Sequence, residues 1–180
     1  TIQVYSEQGK GSTFEVELEF KIAKAPVEIE KNKQADMATE EYSLKGKKFL
    51  CAEDNELNAE ILQDLLDMNG ASCVICSNGK ELVDRFASVK SGEFDAILTD
   101  IQMPVMNGFE ATEAIRKSEN PLGRTIPIIA MTANAFSSDV QKCLESGMDA
   151  HIPKPIDMDV LKNTLHAIAS GWQAKTTNEL

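Results

Sequence analysis

The sequence predicts an α/β protein whose main body is five βα units wound into a parallel sheet covered on both faces. Three observations carry this reading. From residue 44 onward, short apolar runs alternate with longer segments of helical period. Five such pairs in succession imply parallel strands joined by right-handed crossovers. At 180 residues and 42% apolar, the chain can also build one ordinary domain of about 120–130 residues with an appendage.

The appendage comes first. Ile2 and Val4, then Phe14, Val16, Leu18 and Phe20, alternate with polar residues around the glycine-bearing turn "SEQGKGS", which predicts a β-hairpin over residues 1–22. A lone hairpin is marginal in water, so it is expected to be the edge of a domain lying upstream. Residues 23–43, "AKAPVEIEKNKQADMATEEYS", are charged and lack an apolar period, as a linker would.

The five units follow. "KKFLCA" is the first strand, and in "NELNAEILQDLLDMNG" Leu57, Ile61, Leu65 and Met68 recur at helical spacing before Gly70 stops the helix. "ASCVICS" and "GKELVDRFASVKSG" form the second pair, "FDAILTD" and "GFEATEAIRKSE" the third, "IPIIAMT" and "SSDVQKCLESGM" the fourth. "DAHIP" and "DMDVLKNTLHAIAS" close the domain near residue 170, leaving 171–180 as a tail.

Composition narrows the partners. With 18 basic against 29 acidic residues, a net of −11, the chain is a poor ligand for nucleic acid or an anionic membrane. No apolar run approaches the ~18 residues that span a bilayer, and no secretory signal opens the sequence. Cys51, Cys73, Cys76 and Cys143 lack the density of a disulfide scaffold, which points to a reducing, cytoplasmic setting. Cys73 and Cys76 have C-x-x-C spacing, but on a strand residues three apart point to opposite faces and are not expected to share a metal.

Open parallel sheets form their sites beyond the C-terminal ends of the strands. At those ends stand Glu53, Asp54 and Asn55, then Asp100, then Thr132, then Lys154 and Pro155. Singly each has an ordinary role, as a helix cap, a turn former or a surface lysine. Together they gather three carboxylates, a hydroxyl and an ammonium on one rim. Two like charges 4 Å apart repel by ~4 kcal/mol at an effective dielectric near 20, so the acids need a neutralising partner. Mg²⁺ suits them, because it takes one or two carboxylates and leaves positions for a phosphoryl oxygen. Such a pocket stabilises charge on a phosphoryl group in transfer, with Asp100 as nucleophile.

Four motifs in order, "EDN", "DAILTDIQMPVMNGFEA", "AMTANA" and "HIPKP", resemble the receiver (response-regulator) domain of two-component signalling over residues 44–170. The "DIQMPVMNG" form looks most like receivers of hybrid sensor histidine kinases, and "GKGSTFEVELEF" resembles the C-terminal end of a histidine kinase ATP-binding domain. The resemblance implies a flavodoxin-like sheet of strand order 2-1-3-4-5. It implies that Asp100 accepts a phosphoryl group from a phosphohistidine, with Lys154 pairing the phosphoryl oxygens. Asp54, Asp100, Glu53 and the backbone carbonyl of Gln102 would hold Mg²⁺, and Thr132 and His151 would act as the switch. A cis Lys154–Pro155 bond is also implied. Gln102 and Asn134 would flank the water that hydrolyses the acyl phosphate. The partners implied are a kinase phosphodonor domain, in the same polypeptide, and a histidine phosphotransfer protein. On this resemblance the domain catalyses its own phosphorylation and dephosphorylation, and its longer parent is a histidine protein kinase, which can itself be membrane-anchored.

Two positions depart from the common pattern: Glu53 stands where many receivers have Asp, and His151 where Tyr or Phe is common. A receiver-like scaffold that docks partners without phosphorylation is a competing reading, but it has no need of Asp54, Asp100, Thr132 and Lys154 together. A flavodoxin-type nucleotide protein would want a glycine- and hydroxyl-rich loop where Glu53-Asp54-Asn55 stands. An aspartyl phosphatase of D-x-D type would need Asp at Gln102, and no Walker A pattern exists. The Gly9–Ser12 fragment is not expected to bind ATP alone.

Overall fold

The computed structural model describes residues 1–17, 42–133 and 137–171, and of 137–140 the backbone alone. The chain divides into two compact units, Thr1–Thr39 and Glu40–Leu180. In the first, β1 (Ile2–Glu7) pairs antiparallel with β2 (Gly11–Val16), setting Ile2 opposite Val16 and Val4 opposite Phe14. Gly9 and Gly11 turn the chain at φ +83° and +100°, which side-chain-bearing residues rarely adopt. The hairpin's expected extension through Leu18 and Phe20, most of the linker and most of the tail lie outside the described residues.

The second unit contains β3 (Lys48–Ala52), α1 (Glu56–Met68), β4 (Ser72–Cys76), α2 (Gly79–Phe86), β5 (Ala96–Asp100) and α3 (Gly108–Lys117). After a 3₁₀ turn at Pro121–Arg124 come β6 (Ile128–Thr132), α4 (Ser137–Ser146), β7 (Ala150–Pro153) and α5 (Met158–Ala169). The strands form one parallel sheet, β4-β3-β5-β6-β7, the expected 2-1-3-4-5 order. Helix starts follow local chemistry. Asn55, Asn78 and Asn107 each accept a backbone N–H with the side chain, and Asp157 does so twice.

Strand alternation divides the core in two. Leu50, Ile97, Ile128 and Ala130 face α2, α3 and α4, meeting Leu82, Phe86, Ile115 and Cys143. Phe49, Cys51, Leu98, Ile129 and Met131 face α1 and α5, meeting Leu62, Leu66, Leu161 and Leu165. Cys76 belongs to the first cluster and Cys73 packs against the second, on opposite faces as their spacing requires. Burial pushes the Cys76 thiol up to about 11, whereas a hydrogen bond with Cys51 lowers that of half-buried Cys73.

Helix α1 is where the pattern and the packing part. Its buried line is Leu62 and Leu66, while Leu57, Ile61 and Met68 are exposed and Leu65 is half-buried. The helix carries apolar residues on two adjacent lines, and the sheet covers only one.

The central strand β5 is paired on both sides and covered on both faces, so Leu98→Ala leaves a void that neighbouring helices cannot close. A loss of about 3 kcal/mol is expected in urea titration; a loss below about 1 kcal/mol would contradict the two-layer core.

Candidate functional site

Strand register brings the chemistry to one edge. Ala52 lies opposite Thr99, Asp100 opposite Met131, and Thr132 opposite Pro153, so the four strand ends emerge side by side. The Glu53 N–H bonds to the Cys76 carbonyl (3.0 Å) and the Lys154 N–H to the Thr132 carbonyl (2.8 Å), which extends the ladder past the formal strand ends.

Lys154 is the hinge of the cluster. Its Nζ lies 2.6 Å from Glu53 Oε2 and 2.6 Å from Asp100 Oδ2. The three side chains are 19%, 2% and 14% exposed respectively, so these are largely desolvated, charge-assisted bonds. Burial works to lower the Lys154 pKa, but the bonds and charges of Asp100 and Glu53 outweigh it and the net shift is upward. The other Glu53 oxygen accepts from Asn58 Nδ2 at 3.0 Å, and Asp100 Oδ1 from the Gln102 N–H at 3.3 Å. The Lys154–Pro155 bond is cis.

One oxygen each from Glu53, Asp54 and Asp100 lies within 4.8 Å of the others. Glu53 is buried, Asp100 half-buried and Asp54 exposed. This set of hard oxygen donors fits Mg²⁺, with an open side where waters and a phosphoryl oxygen can complete its coordination. Lys154 alone cannot balance three carboxylates.

Asp100 opens into a cavity of about 380 Å³ whose wall includes Gln102, Thr132 and Lys154, and, from the helices beyond, Asn107, Phe109 and Lys142. His151 is absent from that wall. It is half-buried on β7 opposite Ala130, a strand away from the acids. Asn134 lies outside the described residues. Sequence reasoning missed Lys142, Asn107 and Phe109, because their helices give no sign of which turn meets the rim.

The loop after Asp100 is tightly turned and supplies Ile101, Gln102 and Asn107 to the cavity wall. Val105 has φ +69°, and the Met106 N–H bonds back to the Pro104 carbonyl at 2.7 Å, a tight γ-turn that is strained for a β-branched residue. Gly108 then packs its backbone against the strand end: a Cβ there would lie 2.2 Å from the Asp100 carbonyl oxygen.

A parallel five-stranded sheet with an acidic triad and a lysine on its C-terminal edge defines a phosphoryl-signalling domain of receiver type. The profile of the response regulator receiver domain matches residues 49–166, and the chain belongs to that family. It is 42% identical over 139 residues to hybrid signal transduction histidine kinase I of Dictyostelium discoideum, covering 73% of this chain and 8% of that protein. The chain spans only 8% to 15% of curated relatives such as this and a probable histidine kinase of rice. Among solved structures, the receiver domain of the sensor histidine kinase PA1611 from Pseudomonas aeruginosa, with magnesium in its active-site cleft, is similar at TM-score 0.60 and 36% identity, covering 67% of this chain and 95% of that one. A co-crystal of the Saccharomyces cerevisiae phosphotransfer protein Ypd1 with the receiver domain of Ssk1 gives TM-score 0.58 and 28% identity, covering 76% and 97%.

Removing the lysine tests the electrostatics directly. In EDTA, Lys154→Met strands the buried Glu53 carboxylate and is expected to cost about 3 kcal/mol in denaturant titration; a change below about 1 kcal/mol would show that Lys154 is not what balances the acids.

Proposed function

We propose that the domain accepts a phosphoryl group on Asp100 and passes it to a histidine phosphotransfer partner. The observation that carries this is that the Asp100 carboxylate lines a cavity while lying beside an ammonium and two further carboxylates. Glu53, Asp54, Asp100 and the Gln102 backbone carbonyl would hold Mg²⁺, whose charge lets anionic phosphoryl oxygens approach the acids. An Asp100 oxygen forms the new bond to phosphorus as the donor's P–N bond to histidine breaks, and the imidazole leaves with the electron pair, its other nitrogen protonated. Lys154 is already aimed at the carboxylate and pairs with a phosphoryl oxygen. Thr132, at the end of β6 in the same cavity wall, donates its hydroxyl to the acyl phosphate. The side chain of Gln102 orients the attacking water during hydrolysis.

Thr132 and His151 are the switch in this reading. Thr132 ends β6 and His151 stands in the neighbouring strand β7, so drawing the hydroxyl toward Asp100 reshapes the face that β7 shares with α4. The relay partner is supported by exposed Leu57 and Ile61 in the first turns of α1, which begins just after Asp54, so that they offer an apolar surface near the rim. The phosphodonor is the histidine kinase domain, in the same polypeptide. A cytoplasmic setting fits the four free cysteines, which a reducing compartment preserves.

With acetyl phosphate and Mg²⁺, intact mass should rise by one phosphoryl group in the wild type and not in Asp100→Asn. Added histidine phosphotransfer protein should then take up the label. Unchanged wild-type mass, or labelling of Asp100→Asn to the same extent, would overturn the assignment.

A further inference from the structure

We propose that Asn58 is a positioning residue for the acidic edge: its side-chain amide locks the Glu53 carboxylate in the orientation that Mg²⁺ meets. The inference rests on Glu53, Asp54 and Asp100 serving Mg²⁺, and it adds a residue outside that set. Asn58 lies in the first turn of α1, and its Nδ2 donates to Glu53 Oε1 at 3.0 Å. Its backbone N–H donates to the Asn55 side chain at 3.1 Å, so the helix cap fixes the place from which the amide reaches back.

Glu53 needs such a partner more than the other two acids do. Its side chain is 2% exposed against 14% for Asp100, and Asp54 is exposed, so water has least access to hold the oxygens of Glu53. Glutamate also has one more side-chain torsion than aspartate, and its terminal torsion is broad. Lys154 does not remove that freedom. Its ammonium lies 2.6 Å from Glu53 Oε2, but it is a compact charge on a flexible stem and is shared with Asp100. One donor leaves the carboxylate free to turn about the contact. A second donor, reaching the other oxygen from a capped helix turn, defines its plane.

The neutrality of Asn58 matters as much as its reach. An amide holds the carboxylate without cancelling its charge, whereas a cation in the same place would neutralise an acid that the metal uses. When Lys154 turns to a phosphoryl oxygen in the proposed transfer, Glu53 gives up its ammonium and Asn58 is the contact that stays. Hydrogen-bond partners that orient metal-ligating side chains in this way change metal affinity by about 10- to 100-fold.

The test is isothermal titration of the full chain with MgCl₂, without phosphodonor. Asn58→Leu keeps the bulk of the position, suits a helix and removes the donor. Its dissociation constant for Mg²⁺ should rise about tenfold. In the Glu53→Asp background the carboxylate is one methylene shorter and draws back from the amide, so adding Asn58→Leu there should change the constant by less than about twofold. With acetyl phosphate, Asn58→Leu should need about tenfold more Mg²⁺ for half-maximal labelling and reach the wild-type rate at saturation. Asn58→Ala removes the same donor with less bulk, should raise the constant at least about threefold, and decides the matter if Asn58→Leu does not fold. A constant within about twofold of the wild type in either folded variant, or an equal loss in both backgrounds, would overturn the positioning role. So would a lower saturated rate with an unchanged Mg²⁺ requirement. A wild type that binds no Mg²⁺ would instead overturn the magnesium reading on which the inference rests.

Discussion

The arrangement depends on one ammonium shared by two carboxylates. Lys154 reaches Glu53 and Asp100 from the end of β7, joining strand ends that are 101 and 54 residues away in the chain. Without a cation at that point, Glu53, Asp54 and Asp100 would repel one another by several kcal/mol in a partly desolvated site. The sheet therefore carries an unfavourable concentration of negative charge that one lysine only partly relieves. That residual imbalance is what makes the edge a cation site and, with a cation present, a phosphoryl site.

The rest of the fold serves to keep this edge aligned. Both layers of the core bear on β5, through Ile97 on one side and Leu98 on the other, so the strand that presents Asp100 has no freedom to slide. Slipping its register by one residue would exchange the faces of every side chain. At the opposite edge, carboxylates do structural work. Asp95 accepts from the Lys48 N–H and pairs with Lys47, and Asp149 accepts from the Ile128 N–H and from Arg116. The Arg116 guanidinium also donates to the carbonyls of Gly147, Gly123 and Ile126, tying α3 to the beginnings of β6 and β7.

Much of this was legible beforehand because it is written in local pattern. Alternating apolar runs and helical periods yield the five units, and the rule that sites form past parallel strand ends singles out Asp100 and Lys154 without reference to any relative. What pattern could not convey is geometry between distant segments. On α1 the period was visible, but two adjacent apolar lines compete, and only the fitted sheet selects Leu62 and Leu66 over Leu57 and Ile61. The γ-turn at Val105 was hidden because a β-branched residue signals extended backbone. Lys142 reads as an ordinary helix lysine until α4 is seen to wall the Asp100 cavity. His151 stands three residues before Lys154 in the chain, yet the fold sets it on β7 opposite Ala130 and outside that cavity wall, which the spacing alone does not reveal.

The acidic edge is built to be neutralised by a divalent cation, and magnesium linkage measures this most directly. Titrating the unphosphorylated protein with MgCl₂ should raise its melting temperature saturably, by about 5 °C, with no such rise in Asp54→Ala. No rise in the wild type, or an equal rise in the variant, would contradict it.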